Sequence, residues 1–423
     1  MSILVFKFGG SSVKDAVGVT RIKNILESHK EHKLVVVISA MGKTTNALEE
    51  VHKIYLKDPD QGLARLDDVI EKHLDIAEAL GMDRDVVSRT LHPLIVDNLM
   101  LSEGSKDSDL LYDQIISLGE LFSTTIITQY LKHCNLNAKW MDVRNVILTD
   151  GTHREARVDF AITKNKITKK VKRYTQSADL IITQGFIGKT KEGFTTTLGR
   201  EGSDYTAAIM AYALGVDELI IWKDVPGILT GDPRRFKDAT LLEKLSYREA
   251  IEMTFFGAKV IHPKTIQPIQ NKGIQLKVKS FLNPEAPGTL IADPGADYYP
   301  PIIVIEDDVV LLHITSNDFS FISENHLSLI FDKMNKHKLK LSVMRNSAIS
   351  FMLCVTKVDD VYLAAFLKDL GDEFTVDLHK NLQLITVRHF NQSLVDSLTS
   401  NKEILFEETL RNTIQLVVRS VEA

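Results

Sequence analysis

The stretch Ile3-Leu-Val-Phe-Lys-Phe-Gly-Gly10 is a short apolar run that ends in a lysine and a pair of glycines. That is the composition of a buried strand delivering a charged residue to a turn. Three later segments repeat the plan: Leu34-Val-Val-Val-Ile-Ser-Ala-Met-Gly42, Leu180-Ile-Ile-Thr-Gln-Gly185 and Leu219-Ile-Ile-Trp-Lys-Asp-Val-Pro-Gly227. Each leads toward a helix-like stretch, which predicts an α/β fold with a mainly parallel sheet covered on both faces. In open sheets of this kind ligands collect beyond the carboxyl ends of the strands, where these runs carry their Lys, Ser, Gly and Asp residues. One crevice is therefore expected to gather them.

Between the strands, Leu66–Leu80 and Asp109–Leu131 have helical spacing, the second with Asp107 and Ser108 as candidate caps. Breakers concentrate in Asn283-Pro-Glu-Ala-Pro-Gly288, Asp293-Pro-Gly295 and Pro300-Pro301, which reads as a linker. A catalytic domain over residues 1–290 is expected before it. Beyond it the order is strand Val309–Thr315, helix Leu327–His337, strands Leu339–Met344 and Ile349–Thr356, helix Val361–Leu370 and strand Phe374–His379. This βαββαβ unit, residues 300–380, is followed over 381–423 by an abbreviated copy with strands at Leu382–Phe390, Ile404–Thr409 and Ile414–Val418.

Chain size leaves room for such an arrangement: 423 residues, 44% hydrophobic and 25% charged. Net charge is −5, and no long basic run offers a face to nucleic acid or anionic membrane. Cys134 and Cys354 stand apart, without metal-ligand spacing or a disulfide framework. The chain enters its first strand without a basic leader, and no uninterrupted apolar stretch is long enough to span a bilayer, so a cytoplasmic home is the simplest expectation.

Six segments are candidates for chemistry. In Lys7-Phe-Gly-Gly-Ser-Ser12 the glycines let main-chain N–H groups approach phosphate oxygens while Lys7 supplies positive charge, although a tight turn would have the same composition. Gly42-Lys-Thr44 and Gly188-Lys-Thr190 are not Walker A loops, because Val37 and Thr183 occupy the position where that loop needs its first glycine. Thr195-Thr-Thr-Leu-Gly-Arg-Glu-Gly-Ser-Asp-Tyr205 runs into an alanine-rich helix, with Ser203 as candidate N-cap and Asp204 complementing the dipole. The same helix start, with Arg200 beside it, suits an acidic ligand. Lys223-Asp-Val-Pro-Gly227, Gly231-Asp-Pro-Arg-Arg235 and Gly257-Ala-Lys-Val-Ile-His-Pro263 bring further cations near strand ends, or are surface turns and a helix stop. Glu120, in Ser117-Leu-Gly-Glu120, is a charge in an otherwise apolar helical stretch.

Taken in order, Lys7-Phe-Gly-Gly-Ser-Ser12, Val36-Val-Ile-Ser-Ala-Met41, Ser117-Leu-Gly-Glu120, Gln184-Gly-Phe-Ile-Gly188, Leu198-Gly-Arg-Glu-Gly-Ser-Asp-Tyr205, Asp232-Pro-Arg234 and Gly257-Ala-Lys-Val-Ile-His-Pro263 resemble the aspartate kinase branch of the amino-acid kinase family. The resemblance covers residues 3 to about 290. It implies the amino-acid kinase fold and transfer of the γ-phosphoryl group of ATP to the side-chain carboxylate of L-aspartate, a first step toward lysine, threonine and methionine. Lys7 would neutralise the transferring phosphoryl group, Asp204 would hold Lys7, and Gly9 and Gly10 would line the phosphate path. Arg200 would bind the α-carboxylate and Glu120 the α-amino group, with Ser39, Thr45 and Ser203 donating hydrogen bonds. Asp224, Arg234 and Lys259 would contact ATP, whose phosphates would carry Mg²⁺ without a direct protein carboxylate. Other amino-acid kinases, or a non-catalytic sensor on a decayed kinase, are the alternatives. No second dinucleotide-binding unit follows, so a single activity is expected.

Departures from the family pattern are local. At the nucleotide positions Lys223 stands where the family usually has Thr, and Leu229 where it often has Tyr. Glu201 replaces a small or neutral residue beside Arg200. The C-terminal units resemble the paired ACT modules that sense amino-acid effectors, usually in a homodimer. Lysine-sensing relatives carry a glycine-containing turn before the first helix and an Asp followed by Thr-Ser-Glu after it. Here Glu324-Asn-His326 and Leu341-Ser-Val-Met-Arg-Asn-Ser-Ala348 occupy those places, which removes obvious partners for a lysine ammonium. Weak or absent inhibition by lysine is therefore expected in an assay of phosphoryl transfer; strong inhibition at millimolar lysine would contradict this.

Overall fold

The computed structural model describes residues 2–100, 105, 107–258, 261–296, 298–317, 320–356 and 359–421, without the side chain of Asp372. These form two compact units: Met1–Ile228, Leu241–Ile251 and Val260–Ala296 make the first, and Leu229–Thr240, Glu252–Lys259 and Asp297–Ala423 the second.

In chain order the elements up to residue 291 are β1 (Ile3–Phe8), α1 (Ala16–Glu27), β2 (Lys33–Ile38), α2 (Thr44–Tyr55), α3 (Pro59–Ala79), α4 (Arg84–Met100), α5 (Ser108–Ile116), α6 (Leu118–His133), β3 (Ala138–Met141), α7 (Phe160–Tyr174), β4 (Leu180–Gln184), β5 (Ile187–Lys189), β6 (Thr195–Thr197), α8 (Gly202–Leu214), β7 (Glu218–Lys223), β8 (Lys244–Leu245), α9 (Tyr247–Phe255), α10 (Pro263–Gln270), β9 (Gln275–Ser280) and β10 (Thr289–Ile291). Eight strands form one sheet in the order β3-β4-β2-β1-β7-β9-β10-β8, parallel except for the β9–β10 pair. The four apolar runs are β4, β2, β1 and β7, adjacent in the sheet. Their carboxyl ends therefore open on one edge, as near-continuous burial on both faces requires.

Alternation along these strands separates two jobs. Phe6, Phe8 and Trp222 share one face, where the Phe8 and Trp222 rings stack with centroids 6.0 Å apart, a pair contributing about 0.5–1.5 kcal/mol beyond its buried area. Lys7 and Ile221 are register partners on β1 and β7, and Lys223 lies two residues beyond Ile221, so the lysines point to the other face. Helix α8 packs on β1, β2 and β7.

Two local expectations are corrected. The helical stretch Asp109–Leu131 is two helices, α5 and α6, interrupted at Ser117. Asp107 caps α5 through Asp109 and Leu110 N–H groups, and Ser108 is its first residue rather than a cap. The breaker-rich 283–301 segment is not all linker, because it contains β10, hydrogen-bonded between β8 and β9. The predicted helix at Leu66–Leu80 is the later part of α3 with its C-cap Leu80, and α3 starts earlier, at Pro59, with Asp58 as N-cap.

The second unit holds β11 (Ile302–Ser316), α11 (Glu324–Lys336), β12 (Lys340–Asn346), β13 (Ser350–Thr356), α12 (Asp360–Leu370), β14 (Phe374–Arg388), α13 (Gln392–Thr399), β15 (Lys402–Leu410) and β16 (Thr413–Ser420). The order β11-α11-β12-β13-α12-β14 is the βαββαβ unit read from the sequence, and these C-terminal units are α+β and ACT-like. All strands join one antiparallel sheet, β12-β13-β11-β14-β16-β15. Its two halves are fused through β11 and β14, whose pairing runs from Ile302↔Arg388 to Ser316↔Phe374 across an irregularity near Glu306–Val309. The strands expected separately at Phe374–His379 and Leu382–Phe390 are thus the single strand β14. Buried side chains of α11 and α12 close over Leu312, Ile314, Leu353 and Val355, while Val395 of α13 covers Ile385, Val387, Leu416 and Val418.

Candidate active site

Beyond the carboxyl ends of β1, β2, β4 and β7, the first unit contains a cavity of about 590 Å³. Lys7, Gly10, Ser39, Thr45, Glu120, Arg200, Ser203, Asp204 and Lys223 all line it. They come from five separate stretches: the end of β1 and the turn after it, the segment from the end of β2 into α2, the start of α6, the loop into α8 with its first turn, and the end of β7.

Close approach of the loops sets its floor. A Cβ on Gly10 would lie 2.9 Å from the Ala40 carbonyl oxygen and 3.0 Å from that of Gly42, so only glycine lets the β1 and β2 turns meet. Gly42 donates its N–H to the Gly10 carbonyl at 3.0 Å. A Cβ on Gly185 would meet the Ser203 Cβ at 2.4 Å, and that contact seats the start of α8 on the end of β4.

At this junction the N-cap is Glu201, not Ser203. Glu201 adopts φ 54° after Gly199 at φ 77°, and Ser203 is the second helical residue. The loop turns into α8 through two left-handed residues, which puts the helix start two residues earlier than a cap at Ser203 would. Glu201 does not mask Arg200: its Oε2 accepts the His262 N–H at 3.1 Å. Arg200 is exposed and has no carboxylate paired with it among the described residues, leaving its guanidinium open to an anion.

Asp204, in the first turn of α8, is 3% exposed. Its Oδ1 lies 2.6 Å from Lys7 Nζ and its Oδ2 3.6 Å from Lys223 Nζ. The Lys7 contact is an ion pair approached off the hydrogen-bonding direction of Oδ1. Burial alone would raise the carboxyl's pKa; the two ammoniums outweigh it and hold the group below its usual range.

Glu120 has the opposite balance. It sits in the first turn of α6, a helix apolar nearly all round, and is 3% exposed. Its Oε1 accepts the Ala40 N–H at 3.3 Å, and its Oε2 has no hydrogen-bond partner among the described residues. Burial pushes the carboxyl up to about 8 against weaker help from the Ala40 N–H and the Lys7 charge. A buried acceptor left open and lining a cavity is ready for a cation.

Other predicted residues fall elsewhere. Gly9 precedes the turn beside Lys7 Nζ without lining the cavity, and Asp224 is exposed just after β7. Leu229 and Arg234 belong to the second unit, where Leu229 is half-buried and the exposed Arg234 pairs with Asp232 at 2.7 Å. Lys259 lies outside the described residues.

Four lining residues lie outside every motif read from the sequence, Glu49, Tyr112, Arg154 and Glu155, and a fifth, Phe186, lies within the Gln184–Gly188 motif without a role assigned. Arg154 and Phe186 reach the cavity through positive φ values of 67° and 66°, conformations that non-glycine side chains rarely take and that no sequence pattern announces. Arg154 is held there because its N–H meets the buried Asp113 carboxylate at 3.1 Å, while Thr197 and His153 bind the same group. Its guanidinium lies 4.1 Å from the centre of the Tyr112 ring.

A family model described as the amino acid kinase family matches residues 2–280. The lysine-sensitive aspartokinase 3 of Escherichia coli is 32% identical over 397 residues, spanning 91% of this chain and 86% of that one. A crystal structure of E. coli aspartokinase III in complex with lysine and aspartate aligns with TM-score 0.82 at 30% identity, covering 98% of this chain and 95% of that one. A chloroplastic bifunctional aspartokinase/homoserine dehydrogenase 2 of Arabidopsis thaliana is 33% identical over 303 residues, and this chain spans 33% of its length. The chain belongs to the amino acid kinase family. Within that family it stands on the aspartokinase branch.

The raised Glu120 pKa has a measurable cost. Its folded value of about 8 exceeds the ordinary 4.5, so stability present below pH 4.5 is lost as pH rises toward 8. Glu120→Gln is expected to raise Tm relative to wild type at pH 8 and to change it little at pH 4.5. A lower Tm for the variant at pH 8 would contradict this assignment.

Proposed function

We propose that the chain is an aspartate kinase, transferring the γ-phosphoryl group of ATP to the side-chain carboxylate of L-aspartate to give 4-phospho-L-aspartate. The observation that carries this reading is the pairing of opposite devices in one cavity. Arg200, whose guanidinium has no carboxylate partner among the described residues, and Glu120, a buried carboxyl group with an open oxygen, face the same space as the Lys7–Asp204 ion pair. The first two suit the α-carboxylate and α-ammonium of a free amino acid, and the third suits a phosphoryl group.

The chemistry asks little of acid–base groups. An aspartate side chain, with pKa near 3.9, is already ionised at neutral pH and needs no general base. Its oxygen forms the new bond to Pγ while the bond from Pγ to the bridging oxygen of ADP breaks. Negative charge on the phosphoryl oxygens is met by Lys7, whose ammonium is fixed by Asp204 before substrate arrives, so positioning and electrostatics supply the catalysis. Ser39, Thr45 and Ser203 line the same cavity as hydroxyl donors.

Mg²⁺ is proposed to enter with the ATP phosphates and to neutralise their charge. The residues fit that route: Asp204 is engaged by two lysines, and among the described residues no group of three or more His, Cys, Asp or Glu side chains is placed to hold a metal. The likeness to the E. coli aspartokinase III complexes with aspartate, one of them also holding ADP, supports the choice of substrate and nucleotide. Lysine sensitivity, part of the E. coli relative's name, is not included in this proposal. A place at the start of lysine, threonine and methionine synthesis follows from the same activity.

Purified protein incubated with Mg-ATP, L-aspartate and hydroxylamine is expected to accumulate aspartyl hydroxamate. Lys7→Ala should lower the rate by about 10²–10³-fold or more. Hydroxamate from L-glutamate but not L-aspartate would move the assignment to another amino-acid kinase. Absence of product from either would leave a non-catalytic binder.

A further inference from the structure

Asp113 of α5 is wholly buried and does not line the cavity. Two other segments of the chain nevertheless meet on its carboxylate. The Thr197 hydroxyl, at the end of β6, donates to Oδ1 at 2.6 Å, the His153 ring meets Oδ2 at 2.8 Å, and the Arg154 N–H lies 3.2 Å from Oδ1 and 3.1 Å from Oδ2. Burial raises the pKa of this carboxyl, and the Thr197 hydroxyl, His153 and the Arg154 N–H act against it.

Both segments converge on the residues that precede Arg200. Thr197 stands three positions before it. The loop after His153 backs the same stretch: Ala156 donates its N–H to the Thr197 carbonyl at 2.9 Å, and a Cβ on Gly199 would lie 3.2 Å from Glu155 Cγ and 3.5 Å from the Arg154 carbonyl oxygen. Arg200 then follows, exposed, between two left-handed residues, Gly199 and Glu201. With no carboxylate paired to its guanidinium among the described residues, Arg200 is aimed by the backbone on either side of it. On the helix side that backbone is fixed by the Gly185–Ser203 contact and by the Glu201 bond to the His262 N–H. On the strand side it is fixed by the groups gathered on Asp113. Pairing with β5, and the Gln114 amide donating to the Thr195 carbonyl at 2.9 Å, hold the rest of β6, so cutting this knot shifts the end of the strand without unravelling it.

We propose that Asp113 is a positioning residue for substrate recognition: through Thr197 and the 153–156 loop it fixes the segment that aims Arg200 at the α-carboxylate of the amino acid. This rests on the kinase reading above. The α-carboxylate keeps the same charge in the bound substrate and in the transition state, so a misaimed Arg200 weakens both alike, and the loss falls on KM rather than on kcat. The Lys7–Asp204 pair is seated separately, between β1 and α8, which leaves the handling of ATP in place.

Hydroxamate kinetics on wild type, Asp113→Asn, Thr197→Val and Thr197→Ser, each checked for folding by its Tm, test this. Asp113→Asn puts an amide donor where donors already point, and is expected to raise KM for aspartate about tenfold or more, with kcat and KM for ATP within about threefold of wild type. Thr197→Val should move KM for aspartate in the same direction, and Thr197→Ser, which keeps the hydroxyl, should stay close to wild type. In an Arg200→Ala background Asp113→Asn should lower kcat/KM for aspartate by less than about threefold, because the residue it acts through is gone. The proposal is overturned if Asp113→Asn leaves KM for aspartate at the wild-type value, if kcat or KM for ATP suffers as much, if Thr197→Ser is as impaired as Thr197→Val, or if the loss persists undiminished without Arg200. Should Asp113→Asn not fold, the contrast between the two Thr197 variants decides. A wild-type protein that makes no hydroxamate would instead remove the kinase reading, an outcome visible before any variant is made.

Discussion

A carboxylate buried as deeply as Asp204 would lose several kcal/mol of hydration if left alone. The ammoniums that offset the loss come from β1 and β7, neighbours in the middle of the parallel sheet. That requirement ties the first turn of α8 to the carboxyl ends of two strands. Removing the Lys7 charge would leave this anion the looser Lys223 contact at 3.6 Å and weaken the hold of the sheet edge on the helix start, so the pair organises the site and anchors the fold together. Glycines at positions 10 and 185 serve the same end by allowing the turns of β1 and β2, and the end of β4 and α8, to close around it.

Glu120 complements this arrangement. Asp204 is buried against two lysines and stays ionised, whereas Glu120 is buried with one weak donor and an open oxygen. Two acids about equally hidden from water are therefore pushed in opposite directions by their neighbours. The first is satisfied within the protein and orients a lysine, while the second is left wanting a positive partner. This division gives a single cavity one end for a phosphoryl group and another for an ammonium.

Much of this was legible because buried parallel strands are written as unbroken apolar runs. Lys7, Ser39 and Lys223 could be assigned to one crevice once those runs were recognised. Glu120 stood out as a charge in an apolar helical stretch, a pattern that by itself suits a solvated face, and its place in the site came from the neighbouring motifs and the family resemblance rather than from the spacing. What escaped depended on left-handed backbone at ordinary residues. Glu201 displaces the helix cap from Ser203, and Arg154 and Phe186 enter the cavity through positive φ. In the second unit Asp308 at φ 55° and Asn381 at φ 57° mark irregular points where β11 and β14 continue, and short polar residues there read as breaks between strands. The interruption at Ser117 was hidden because apolar spacing carries on through Leu118, Leu121 and Phe122.

The central claim is that a side-chain carboxylate oxygen of the amino acid attacks phosphorus. L-aspartate labelled with ¹⁸O in its side-chain carboxylate, turned over with ATP and trapped with hydroxylamine, tests it directly. Hydroxylamine attacks the acyl carbon and expels phosphate with the bridging oxygen. The account predicts one ¹⁸O atom in each phosphate released with hydroxamate, read by mass spectrometry or ³¹P NMR. Phosphate released without label would show that the phosphoryl group never joined that carboxylate, and would contradict the account at its base.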